Sequence, residues 1–207
     1  MLVEKTVSQF IRELGSDSPA PGGGSTAALA GALAAALTSM VCRLTANSAK
    51  YAAVHGTARA ILDKSERLAQ KLTAYIDEDT QAFNAVMAAY KLPKATEEEK
   101  QLRAEAIQKA TVGATMLPLK VAEHCLEVLD LAGQILAIGN ANAASDAAVS
   151  GLMAHAGLKG ALYNVKINLG GIKDAGFVRD ATDRMAALGE QADRLQQELE
   201  LAAQKII

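Results

Sequence analysis

Tryptophan is absent from this chain, and aromatic residues of all kinds make up only 3% of it. Strand-forming side chains are correspondingly sparse, whereas Ala, Leu, Glu, Lys and Gln abound, so the predicted fold class is all-α. Cysteine is nearly missing too. Cys42 and Cys125 lack the paired spacing of a zinc site or a disulfide framework, and both fall in helical patterns, which predicts two buried, reduced thiols. Positive charge is in no surplus: 21 Lys plus Arg stand against 23 Asp plus Glu, leaving no broad basic surface for nucleic acid. The N-terminus, Met1-Leu2-Val3-Glu4-Lys5, acquires charge at once and lacks an apolar secretory core, so the predicted location is cytoplasmic. The three histidines, His55, His124 and His155, pair with no acid at metal-ligand spacing, and the Glu-x-x-His repeats of di-iron bundles are missing. No metal is predicted. P-loop, dinucleotide and nucleophile-elbow motifs are absent as well.

What the chain does have is Pro19-Ala20-Pro21-Gly22-Gly23-Gly24-Ser25, followed by a run from Thr26 to Cys42 without one charge. Two prolines and three glycines make a tight loop free of side chains, and Ser25 reads as the N-cap of an Ala-rich helix packed closely on its neighbours. The loop is either a small-ligand cradle or simply a helix-starting turn. The uncharged stretch is long enough to raise the membrane question. Its large side chains, Leu29, Leu33, Leu37, Met40 and Val41, form a stripe suited to packing on protein, and Ala and Gly add little in lipid, so no span is predicted.

Helical periodicity divides the chain into six helices of one domain, residues 1–207, with neither an internal repeat nor a disordered linker. Thr6 to Gln9 is a capping box, and Val7, Phe10, Ile11 and Leu14 follow with helical spacing until Gly15. The second helix runs from about Ser25 to the Thr45–Ser48 region. The third extends from near Ala53 to Lys91, with a predicted core stripe of Ile61, Leu68, Leu72, Tyr75, Ile76, Phe83, Val86 and Tyr90. Thr96 to Glu99 opens a fourth helix, ending near Ile138, that carries Pro118 in its interior and so should kink around Met116 to Leu119. Asn142 or Ser145 caps a fifth, which reaches Leu169, and a sixth from about Phe177 to Gln204 is charged on its outer face. Short loops make this an up-and-down bundle.

Two features break the pattern. Asp79 falls on the apolar arc of the third helix, while Asp77 and Glu78 fall towards solvent. Burial would raise the pKa of Asp79 and suit it to acid/base work, or it is a structural carboxylate held by a cap or a cation. On the fifth helix Asp146, Ser150, Met153, Gly157, Gly160, Asn164 and Asn168 share one small, polar face. That face is either a tight helix crossing or a ligand wall, since buried Asn and Asp need partners.

These residues are similar to a known family. Ser18 to Ser25, Leu29-Ala30-Gly31-Ala32, Met40 to Thr45, Asp77 to Phe83, Tyr90 to Pro93, Gly139 to Asp146 and Asn164 to Leu169 resemble the cyclodeaminase/cyclohydrolase family. That family comprises formiminotetrahydrofolate cyclodeaminases and methenyltetrahydrofolate cyclohydrolases. The resemblance covers almost the whole chain, without a preceding transferase domain. It implies an all-helical homodimer that binds reduced folate with no metal, nucleotide or other cofactor and no membrane partner. By this resemblance Asp79 and Asp146 are the acid/base candidates. Asn140, Asn164 and Asn168 would hydrogen-bond the pterin or its bridge, Gly22, Gly23, Gly24 and Ser25 would wall the pocket, and Arg43 and Lys50 would hold the anionic glutamate tail. Cyclohydrolase activity is the leading expectation, cyclodeaminase the alternative, and a non-catalytic folate-binding bundle the alternative of another class.

Overall fold

The computed structural model describes residues 1–207. Six α-helices carry the fold: α1 (Val7–Leu14), α2 (Gly23–Ala46), α3 (His55–Tyr90), α4 (Glu97–Ile138), α5 (Ala144–Leu169) and α6 (Ala175–Ile206). Short 3-10 turns lie at Leu2–Glu4, Ala49–Val54 and Ala141–Ala143, and there is no strand. Both predicted capping boxes form, at Thr6 with Gln9 and at Thr96 with Glu99, so the N–H groups of these four residues have partners.

Successive long helices run antiparallel. Ser39 meets Ser65 and Ser25 meets Ile76 across α2 and α3. Tyr75 packs on His124 and Arg103 reaches the Tyr90 carbonyl across α3 and α4. Asn168 bonds Ala114 across α4 and α5, and His155 bonds Asp193 across α5 and α6. This is the predicted up-and-down topology. α2 lies at the centre against α3, α4 and α5, and α6 covers α4 and α5.

Small residues set the spacing. A Cβ on Gly31 would stand 2.5 Å from Cys125 Sγ, and one on Gly157 would stand 2.9 Å from the Ala27 carbonyl, so α2, α4 and α5 approach more closely than any larger residue permits. At this crossing Ser150 Oγ donates to the Ala34 carbonyl at 2.7 Å and lies 2.8 Å from Thr38 Oγ1, which satisfies the buried hydroxyls. Cys42 and Cys125 are free and buried, and desolvation pushes both thiols up to about 12, far from thiolate reactivity.

Several expectations are corrected. α2 turns its small face inward, with Ala28, Ala34, Ala35 and Cys42 fully buried, while Leu33 and Met40 of the predicted packing stripe face outward. By length and composition α2 could cross a membrane, yet over half of its most apolar window is buried against protein. α1 buries only Phe10, leaving Val7 and Ile11 exposed. The α3 stripe enters the core only as far as Ile76, because beyond Asp79 the α3/α4 hairpin outruns the start of α2 and Tyr90 is exposed. Asp77 is buried rather than solvated. Its Oδ1 accepts the Leu2 N–H at 2.6 Å, so the N-terminal 3-10 turn covers it. α5 is entered through a 3-10 turn capped by Asn140, whose side chain accepts the Asn142 N–H, and not through a cap at Asn142 or Ser145. Asp174 caps α6, which starts two residues before Phe177.

Candidate active site

Asp79 stands where α2 begins. Gly22 is the N-cap and offers no side chain, so α2 starts at Gly23, and Ser25 sits in the first turn rather than at the predicted cap position. Fully buried, Ser25 turns its hydroxyl towards α3, with Oγ 2.9 Å from the Ile76 carbonyl and 3.0 Å from Asp79 Oδ2. One hydroxyl holds one proton. When Ser25 donates it to Ile76, the contact with Asp79 is a hydrogen bond only if the carboxyl is protonated and donates to Oγ. When the carboxyl is ionised the hydroxyl donates to Asp79 Oδ2 instead; burial raises the Asp79 carboxyl above its ordinary value, and the hydroxyl and backbone N–H of Ser25, which favour the ionised form, oppose that rise in part.

The glycines make the approach possible. A Cβ on Gly24 would lie 2.5 Å from Asp79 Cγ and 2.8 Å from Oδ2, and closer still to Oδ1, so the carboxyl rests on the bare backbone of α2. On the other flank a Cβ on Gly23 would lie 3.3 Å from Asn164 Nδ2. Asn164 donates to the Gly160 carbonyl of its own helix at 2.9 Å, which leaves Oδ1 free of any protein donor. Gly22, Gly23, Gly24, Ser25, Asp79 and Asn164 therefore meet at one end of the bundle.

Asn168 is at the same end with its amide already engaged. α4 runs unbroken through Pro118, which has no N–H to give the carbonyl four residues earlier, that of Ala114. Asn168 Nδ2 donates to this carbonyl at 2.9 Å, replacing the missing helical bond from the neighbouring helix. Asn168→Ala is expected to cost about 1 kcal/mol, the net worth of one hydrogen bond to a part-buried acceptor. Pro118→Ala restores an N–H there, so in a double-mutant cycle read by chemical denaturation the cost of Asn168→Ala should shrink.

The remaining predicted residues lie elsewhere. Asp146 is half-buried near the start of α5, eighteen residues from Asn164, or ~27 Å along the helix at 1.5 Å per residue. Near it, the Asn140 backbone N–H donates to Thr45 Oγ1 and its side chain caps the following turn. Arg43 is paired with Glu66, and the Lys50 ammonium lies 5.4 Å from the Tyr51 ring centroid. Within one chain Asp146, Asn140, Arg43 and Lys50 form a second group at the opposite end from Asp79. The small face of α5 between the groups is a helix crossing at Ser150 and Gly157, so only its ends are open. No three His, Cys, Asp or Glu side chains gather in a metal-binding cluster.

A groove of about 1050 Å³ runs along the α3/α4 hairpin from Glu78 outward to Leu92, with Asp79 itself turned towards α2 and outside its lining. Ala82, one turn beyond Asp79, and Ala114, whose carbonyl Asn168 holds, join the groove to the carboxylate end. Seven of its 15 lining residues are alanine, with Lys109 and Lys120 as the cations and Glu78 as the acid. Sequence reasoning missed both lysines. The available signal was Ala106, Ala110, Gly113 and Leu117, a strip of helical period along α4 flanked by cations.

The formiminotransferase-cyclodeaminase family model matches residues 6–187. The chain belongs to the formiminotransferase-cyclodeaminase family. A methenyltetrahydrofolate cyclohydrolase from Methylorubrum extorquens is 43% identical over 199 residues, 96% of each chain. The formimidoyltransferase-cyclodeaminase of Sus scrofa is 36% identical over 92% of this chain but only 35% of its own length, so this family member corresponds to about a third of the animal protein. The crystal structure of a formiminotetrahydrofolate cyclodeaminase from Thermotoga maritima superposes with a TM-score of 0.89 at 26% identity, covering 100% of this chain and 99% of the other.

Proposed function

We propose that this chain, as one helical domain, is a 5,10-methenyltetrahydrofolate cyclohydrolase that adds water to the N5,N10 bridge to give 10-formyltetrahydrofolate. The observation that carries the reading is Asp79, a half-buried carboxyl of raised proton affinity on a bare glycine backbone, next in sequence to Glu78, which lines the inner end of a groove large enough for an extended ligand. The end-to-end match to the Methylorubrum cyclohydrolase supports it.

In this mechanism ionised Asp79 faces the cationic bridge and stabilises it. It accepts a proton from the attacking water as the oxygen bonds to the bridge carbon, giving a neutral hydroxylated intermediate. The hydroxyl then loses its proton as C=O forms and the C–N5 bond breaks, and Asp79 returns a proton to N5. Two protons leave the oxygen, one ends on N5, and one is released. The Ser25 hydroxyl holds the carboxyl in place, and the free Oδ1 of Asn164 is available to a pterin N–H.

A second reading, cyclodeamination with release of ammonia as by an ammonia lyase, uses the same groups: the formimino nitrogen enters protonated, Asp79 takes the N10 proton as N10 bonds the formimino carbon, and it passes that proton to the amine as the C–N bond breaks and ammonia leaves. The whole-chain likeness to the Thermotoga cyclodeaminase favours it. Separate incubation with methenyl- and formiminotetrahydrofolate decides between them. The expected result is enzyme-dependent loss of methenyl absorbance without ammonia, whereas turnover of neither folate above the spontaneous rate would overturn both readings.

The proposed working form is a cytoplasmic homodimer. Leu33, Met40 and Leu44 of α2 and Leu152, Tyr163 and Ile167 of α5 are exposed on adjoining helices, and α2 is uncharged from Gly23 to Cys42. A two-fold axis lying in this face and perpendicular to α2 and α5 would bring the Asp146 end of one copy to the Asp79 end of the other. Asp146, Asn140, Arg43 and Lys50 would then join the site from across the dimer.

A further inference from the structure

We propose that Lys109 anchors the glutamyl carboxylates of the substrate, with the α3/α4 groove as the track for its benzoyl ring and tail. This rests on the folate reading of the preceding section and gives the tail an anchor on the same chain as Asp79, whereas Arg43, paired with Glu66, and Lys50, against Tyr51, would reach it only from across the dimer.

The groove suits such a ligand in polarity. Its inner part carries both charges, Lys120 and Glu78, which offset one another, whereas Lys109 has no acidic counterpart in the wall. Neither lysine forms an ion pair with the chain's own carboxylates. Between them the surface is Ala110, Gly113 and Met116, facing Ala82 and Ala85 of α3, apolar enough to take an aromatic ring. A lone cation in the outer part of an apolar channel selects a ligand that is apolar in its middle and anionic further out.

Length agrees as well. The contacts of Tyr75 with His124 and of Arg103 with Tyr90 set the α3/α4 register, which places Asp79 opposite the turn around Pro118. Lys109 lies about ten residues further out, or ~15 Å at 1.5 Å of rise per residue. A benzoyl ring followed by one extended glutamyl unit bridges that order of distance when the reacting bridge sits at Asp79. Further γ-linked glutamates then run past Lys109 towards the hairpin tip.

The test is steady-state kinetics with methenyltetrahydrofolate bearing one or several glutamates, on the parent protein, Lys109→Glu and Lys109→Arg. Lys109 is exposed, so the fold should tolerate both changes, which circular dichroism verifies. Lys109→Glu is expected to raise KM about tenfold or more, in keeping with loss of a charge-assisted contact, with kcat within twofold. The preference for longer tails and the salt dependence of KM should weaken, and Lys109→Arg should restore them. Unchanged KM and tail preference in Lys109→Glu would overturn the inference while leaving the cyclohydrolase reading intact. If the parent turned over neither folate, the functional reading itself would fail.

Discussion

Asp79→Asn is expected to lower kcat/KM for methenyltetrahydrofolate by about 10²- to 10⁴-fold, the usual range for loss of a general base, while melting no lower than the parent at pH 7. The two halves of this expectation have one origin. Burial raises the proton affinity of Asp79 in the fold, so the folded state binds that proton more tightly than the unfolded chain does. The ionised carboxylate is therefore a cost to stability. That cost is absent below the ordinary carboxylate pKa, grows as pH rises towards the raised folded value, and is complete above it. Asparagine has no charge to desolvate, and its amide donates to Ser25 Oγ just as the protonated acid does. The parent's kcat/KM should fall on the acid side at a pH above the ordinary carboxylate range, because the free enzyme's base must be ionised, and the residual activity of Asp79→Asn should lack that limb. Retained turnover, or unfolding with no separate loss of activity, would return Asp79 to a structural role and leave a folate-binding bundle as the better description.

Gly24→Ala should rank next in effect. Its new methyl would occupy space now held by the Asp79 carboxyl, with Cγ at 2.5 Å, and the fully buried Ser25 beside it fixes the turn. Either α2 withdraws from α3 or Asp79 leaves its place. We expect turnover to drop by about 10²-fold, as a displacement near 1 Å does elsewhere, with an overpacking cost of about 1–3 kcal/mol. Gly23→Ala is the matched comparison: its Cβ would meet only the flexible end of Asn164 at 3.3 Å, so kcat should change a few-fold at most. The combination Gly24→Ala with Asp79→Asn should be scarcely slower than Asp79→Asn alone, since both remove the same group. Additive losses would mean that Gly24 acts independently of Asp79.

Features repeating along one helix were legible in the sequence. Apolar spacing located the six helices and singled out Asp79, and the Thr6 and Thr96 boxes form as written. Features requiring the register between two helices were not. Periodicity says that α2 has a large-residue stripe and a small-residue face but not which is turned inward. The choice follows from Gly31 and Gly157 having to admit Cys125 and the Ala27 carbonyl. Asp77 looked solvated because its partner, the Leu2 N–H, lies 75 residues away. Asn168 looked available to a ligand because its partner is a backbone carbonyl, which carries no mark in the sequence. The pairing of Asp79 with Asp146 was drawn from residue type, helix face and matching motif positions, and within one chain Asp146 lies at the far end of α5 from Asn164, which neighbours the Asp79 end.

The contact between Asn168 and the carbonyl that Pro118 leaves free bears on how sequences of this fold can diverge. A lineage that loses the asparagine first passes through a destabilised intermediate, whereas one that loses the proline first does not, because the new N–H takes over the carbonyl before the amide is released. Positions 118 and 168 should thus change in a preferred order. A relative with proline at 118 and an apolar residue at 168 would need a different donor for the same oxygen.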